Sequence, residues 1–243
     1  MPGPFRLRPG PAGDLWSYAT ATGPGEPILG HVLLCHDLPR PKGAAADVAI
    51  TYPALADRLA RESGWRVVTA ALRGAGESAG DFSALGWLDD LKFVAETEIP
   101  EESNRLAVGF GFGGVLALHL AAGDDRVAGV ACLGTPLDLT ALCGDPQPFL
   151  VRCRGTGVVR TPGYPASVEA WAKEVSVLHP AEDASLLKDR PLLMVHGSED
   201  PDVPVADAAT GPSELHVVFG AGHWVRADPR VIALLVGWLE RRQ

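Results

Sequence analysis

The sequence predicts an α/β domain in which a mostly parallel sheet is covered by helices on both faces. Strand-like and helix-like segments alternate along most of the chain, the pattern that feeds parallel strands through helical crossovers. Residues 105–122 read as a buried strand, a tight glycine turn and an apolar helix in succession. Hydrophobic residues make up 47% of 243 positions against 21% charged, enough for one large core.

The elements follow in order. His31 to Cys35 is a short apolar run, ended by a loop with prolines and glycine from Pro39 to Gly43. Ala54 to Glu62 spaces its apolar residues along one helical face and stops at Ser63-Gly64. Arg66 to Leu72 is the next strand, and Trp87 to Glu96 the next helix. The strand opening at Arg105 and the helix Val115 to Ala122 flank the glycine turn. Val127 to Leu133, Pro191 to His196 and Glu214 to Phe219 read as further strands, and Val231 to Leu239 as the terminal helix. From about Leu137 to Lys188 the alternation stops, with one helical candidate from Ser167 to Val175. A connection that long is expected to be a lid-like insertion within a single domain, 1–243; the plainer reading is a helical excursion covering the sheet edge.

Charge and cysteine usage narrow the partners. The net charge of −9 carries no basic stripe, so nucleic acid is not expected as a partner. No segment approaches 18 uninterrupted apolar residues, and Met1 to Gly10 lacks the apolar region of a secretory signal; no membrane association and a cytoplasmic location are the expectations. Cys35, Cys132, Cys143 and Cys153 show no ligand spacing, so buried free thiols are expected, with no metal and no cofactor. A small-molecule ligand or substrate is the expected partner; oligomeric state is not written in the sequence.

The glycine turn is the most informative stretch. Its string is Gly109-Phe110-Gly111-Phe112-Gly113. In a Gly-x-Ser-x-Gly nucleophile elbow, a serine stands at the middle of such a strand-to-helix turn. Gly111 takes that place and has no side chain with which to attack.

These residues resemble the α/β-hydrolase superfamily, and the resemblance runs from about His31 to the C-terminus. The resemblance implies an α/β-hydrolase fold with a triad in the order nucleophile, acid, histidine. Gly111 falls at the nucleophile position. Gly197-Ser-Glu-Asp200-Pro-Asp-Val-Pro204 is similar to the family's acid turn, with Asp200 as the acid. Gly220-Ala-Gly-His223-Trp224 is similar to its histidine turn. Arg73-Gly-Ala-Gly-Glu-Ser78 resembles the turn after the family's fourth strand, and His36-Asp37-Leu38-Pro39 its oxyanion loop. Short bacterial members with Gly-Phe-Gly-x-Gly-Gly at the elbow are similar too.

The departures set the chemistry. Acyl transfer needs an attacking oxygen, a base and oxyanion donors. Loss of a triad nucleophile costs about 10⁶-fold in a well-studied serine protease, so an acyl-enzyme is not expected. Asp37 replaces the usual glycine of the oxyanion loop. Two readings stay open: its carboxylate faces the region where negative charge would grow, or it points outward or caps the following turn.

Two functions fit. In the first, His223, held by Asp200, acts as general base on water or on the substrate, with Leu38 and Phe112 N–H as oxyanion donors. Hydrolysis of an activated ester, elimination and cyclisation all suit that arrangement. In the second, the chain is an inactive pseudo-hydrolase that binds a small apolar ligand or a protein partner, with Phe110, Phe112 and the 137–188 segment shaping the pocket. Gly109-x-Gly111-x-x-Gly114 also satisfies a dinucleotide fingerprint, but several strands precede it and no acidic residue closes the next strand. Cys35, Ser78, Ser83, His36 and His196 read as structural, and His119 has no obvious partner.

Overall fold

The structure is a computed structural model that describes residues 5–21, 28–40, 44–140, 145–187, 189–205 and 214–242. Its strands are β1 (Phe5–Gly10), β2 (Gly13–Ala19), β3 (His31–Cys35), β4 (Arg66–Ala71), β5 (Arg105–Phe110), β6 (Val127–Leu133), β7 (Leu192–Gly197) and β8 (Glu214–Val218). They form one sheet in the order β1-β2-β4-β3-β5-β6-β7-β8. Among the described residues the pairs β1–β2 and β2–β4 are antiparallel and the other pairs of the sheet are parallel. The antiparallel hairpin is absent from the sequence reading, since Phe5-Arg-Leu-Arg-Pro-Gly10 is charged and proline-bearing.

The helices are α1 (Val48–Ser63), α2 (Ala84–Glu98), α3 (Phe112–Gly123), α4 (Pro146–Thr156), α5 (Val168–Lys173), α6 (Pro180–Leu186) and α7 (Pro229–Glu240). Buried side chains fall into two apolar clusters, one on each face of the sheet. One holds Trp87, Leu91, Leu116 and Leu118 from α2 and α3. The other holds Tyr52, Leu59, Leu235 and Trp238 from α1 and α7. Strands β3 and β5 are buried along their whole length, as continuous apolar runs in a doubly covered sheet must be.

Helix α1 begins six residues before the expected start, with Pro53 inside it. Proline removes one backbone donor there, and burial of Tyr52, Pro53 and Ala56 against the sheet outweighs that loss. The 137–188 segment also differs from expectation: α4 and α6 flank the one helix that the pattern suggested. Phe149 of α4 and Trp171 of α5 stack at 5.0 Å and meet Phe82 edge-on at 5.9 Å each. This aromatic packing, invisible to periodicity, holds α4 and α5 on the body of the domain. Cys143 lies outside the described residues; Cys35, Cys132 and Cys153 are buried free thiols.

Candidate active site

Parallel strands end on one edge, and the chain leaves that edge at four places that matter. Asp37 follows β3, Gly111 follows β5, Asp200 follows β7 and His223 follows β8. Because β3 and β5 are neighbours, with Cys35 opposite Gly109, residues 37 and 111 face each other across one strand spacing.

At the elbow Gly111 has φ 51° and ψ −121°. That left-handed conformation suits glycine and would strain a serine by roughly 1–3 kcal/mol. Gly113, on the first turn of α3, lets the helix close on the β3 loop: a Cβ there would collide with the His36 carbonyl oxygen. The approach brings Asp37 to the N-terminus of α3.

The Asp37 side chain points inward. Its Oδ1 accepts the Leu38 N–H and the Phe112 N–H, each at 2.7 Å. These are the two donors expected for an oxyanion, and they converge on an oxygen of the protein itself. A helix N-terminus favours an anion in this place. A Cβ on Gly111 would overlap Oδ1, Cγ and Oδ2 of Asp37. The carboxylate therefore fills the volume that a nucleophilic side chain at residue 111 would need. The outward reading of Asp37 is corrected, and the local capping bond to Leu38 N–H forms within the inward arrangement.

His223 connects two carboxylates. Its Nδ1 lies 2.9 Å from Asp200 Oδ2 and its Nε2 lies 3.3 Å from Asp37 Oδ2. Both partners accept when ionised, so a ring serving both donates from both nitrogens and is an imidazolium. Burial opposes that charge, but the Asp37 hydrogen bond and charge outweigh it; Asp200 adds to the rise and Arg40 subtracts, leaving the His223 pKa above its ordinary value. The Asp200 side chain is fully enclosed, and its Oδ1 accepts the N–H groups of Asp202 at 2.9 Å and Val203 at 3.1 Å. The Asp37 side chain keeps 20% exposure, so of the two carboxylates only Asp37 can meet a bound molecule.

Two residues that the sequence reading gave no site role hold this loop. Tyr52 Oη accepts the Asp37 N–H at 2.9 Å. His36 Nε2 accepts the Leu72 N–H at 3.1 Å, so Nδ1 carries the proton and donates to the Asp37 carbonyl at 2.8 Å. Burial above all keeps that ring neutral, with a pKa lowered to about 4. Structural roles also hold for Ser83, which caps α2, and for Ser78, which accepts the Trp16 N–H at 2.9 Å. His119 does have a partner, Asp183 Oδ2 at 3.0 Å. Cys35 is packed in the core, and burial raises its thiol pKa.

A cleft of about 110 Å³ opens beside the apex, lined by Asp37, Tyr52, Phe110, Gly111, His223 and Arg226 among others. Arg226 lies over the rings of Tyr52 at 5.5 Å and Trp224 at 5.2 Å. Leu38 lines the cleft, whereas Phe112 faces an adjoining depression that Asp138 and Arg152 also reach. Asp200, Asp202 and His223 group their ligand atoms within 4.8 Å. Those atoms are already committed: Asp200 to backbone N–H groups and His223, and Asp202 to Arg40 at 2.5 Å. The dinucleotide reading fares no better, since a carboxylate occupies the helix N-terminus where a pyrophosphate would sit.

Comparison with known proteins agrees with this architecture. Residues 32–233 match the model of the Alpha/beta hydrolase family. An alpha-beta serine hydrolase homologue from Coxiella burnetii is 21% identical, with 99% of this chain and 97% of that one covered at a TM-score of 0.63. The alpha/beta hydrolase GrgF from Penicillium is 21% identical over 100% of this chain and 99% of its own, at a TM-score of 0.68. A putative hydrolase from Agrobacterium vitis reaches a TM-score of 0.73 at 17% identity, over 100% and 99% of the two chains. No curated protein matches in sequence.

Proposed function

This chain belongs to the alpha/beta hydrolase family, and we propose that it hydrolyses a small electrophilic substrate without a serine acyl-enzyme. His223, oriented by Asp200, is the group that moves the proton. The observation that carries this reading is an imidazole 2.9 Å from an enclosed carboxylate, beside an apex whose residue has no side chain. The Asp200 contact fixes the ring, leaving Nε2 directed at Asp37 and the cleft. The small cleft and its mixture of Phe110, Leu38, Arg40 and Arg226 suit a compact molecule with an apolar body.

The test is a panel of small esters, epoxides and alkyl halides. Wild-type turnover is expected to fall by at least about 10²-fold in His223→Ala, the usual scale for loss of a general acid–base group. A fluorophosphonate is expected to leave the protein unlabelled. One observation favours a second reading, a pseudo-hydrolase that only binds its ligand: both oxyanion donors are taken by Asp37 Oδ1. An inert panel, with a cleft ligand bound equally well by wild type and His223→Ala, would select that reading.

A further inference from the structure

We propose that Arg226 and Tyr52 form an anion seat in the cleft, and that the molecule held there is a short apolar chain ending in a single carboxylate. The inference rests on the reading above only in taking the molecule of this cleft to be the substrate; the seat itself needs no turnover.

The first observation is an unmatched charge. Asp37 and His223 engage each other, and Arg40 pairs with Asp202. Among the described residues Arg226 has no such carboxylate partner. Its guanidinium instead lies over two rings, Tyr52 at 5.5 Å and Trp224 at 5.2 Å. Ring contacts of this kind hold the group in place without neutralising it. Asp47 also lines the cleft, exposed to solvent and not in an ion pair with Arg226.

The second observation is a buried donor. Tyr52 is 1% exposed, and its oxygen accepts the Asp37 N–H at 2.9 Å. The phenol proton has no acceptor among the described residues. Burial, with the Asp37 charge, raises the Tyr52 pKa, so the proton stays on the oxygen as a donor. Arg226 acts against that rise, which puts its charge beside the phenol. A buried donor without an acceptor is costly, and a ligand oxygen at this place relieves it.

A fixed cation and an O–H donor therefore line one cleft. A carboxylate has an oxygen for each, and hydrogen bonds to an ionised acceptor are stronger than those to a neutral carbonyl. Arg226 balances one negative charge. The carboxylates of Asp37 and Asp47 on the same lining disfavour a second, as a phosphate dianion would bring. Leu38, Val48, Phe110 and Leu133 line the remainder, and about 110 Å³ limits the tail to a few carbons. Gly111 and His223 belong to the same lining, so the seat and the apex serve one molecule.

Proton NMR titration at neutral pH with butyrate, and with its neutral isostere butyramide, tests the seat; the His223 ring signals report entry into the cleft. Wild type is expected to bind butyrate at least about 10-fold more tightly than butyramide. Arg226→Gln is expected to lose that preference. Arg226→Lys is expected to keep part of it, since the charge remains while the planar fork is lost. Tyr52→Phe, with Arg226 intact, is expected to narrow the preference without removing it. Equal affinities in wild type overturn the proposal, as does an undiminished preference in Arg226→Gln shown folded by circular dichroism. Butyrate binding that leaves the His223 signals unmoved overturns it too. The hydrolytic reading fails separately: an inert ester panel beside a clear butyrate preference sinks hydrolysis alone, and turnover beside equal affinities sinks the seat alone.

Discussion

Gly111 and Asp37 must be understood as a pair. A hydroxymethyl group at residue 111 would meet a carboxylate already seated in its space, on a backbone that disfavours any side chain. Gly111→Ser alone is therefore expected to lose about 1–3 kcal/mol of stability and to gain no cleavage of p-nitrophenyl acetate. Gly111→Ser combined with Asp37→Gly empties the hole and frees His223, and esterase activity is expected to emerge only in that double variant. Activity in the single variant would show that Asp37 moves aside easily. The vacancy at residue 111 was legible from the Gly109–Gly113 string, as were Asp200 and His223 from their turns. The direction of Asp37 was not. It depends on how closely α3 approaches the β3 loop, which no local pattern encodes.

At the level of elements, the site is held by neighbours that carry no motif. Helix α1 supplies Tyr52 beneath Asp37 N–H, yet Pro53 in its second turn disguises where the helix starts. Tyr52→Phe leaves that N–H without its acceptor, and an unsatisfied buried donor costs about 1–3 kcal/mol. The expected result is an unfolding free energy from urea titration lowered by that amount, with a lower midpoint, and a wild-type midpoint would show that the bond contributes nothing. Buried strands such as β3 and β5 were legible because an apolar run without alternation leaves few other readings. The β1–β2 hairpin and helices α4 and α6 were not. Tertiary contacts rather than periodicity hold them: Arg6 and Arg8 of β1 pair with Glu98, Phe149 of α4 packs on Phe82, and Asp183 of α6 meets His119.

Across the whole molecule, a parallel sheet carries four loops to one edge and lets residues far apart in the chain share one charge network. Asp37 and His223 are separated by 186 positions but lie 3.3 Å apart. No described helix is long and apolar enough to cross a membrane, and the family match, residues 32–233, takes in the strands from β3 to β8 but not the β1–β2 hairpin. The central claim is that His223 stands between two carboxylates, one of them in the oxyanion hole. Proton NMR titration of the His223 ring in wild type and Asp37→Asn tests it most directly. The wild-type midpoint is expected above the ordinary imidazole value, so the ring stays charged to a higher pH than a free imidazole. Asp37→Asn is expected to lower it, because the raised pKa depends on a negative charge at Oδ2. A midpoint that is ordinary in wild type, or unmoved by the substitution, would contradict the arrangement.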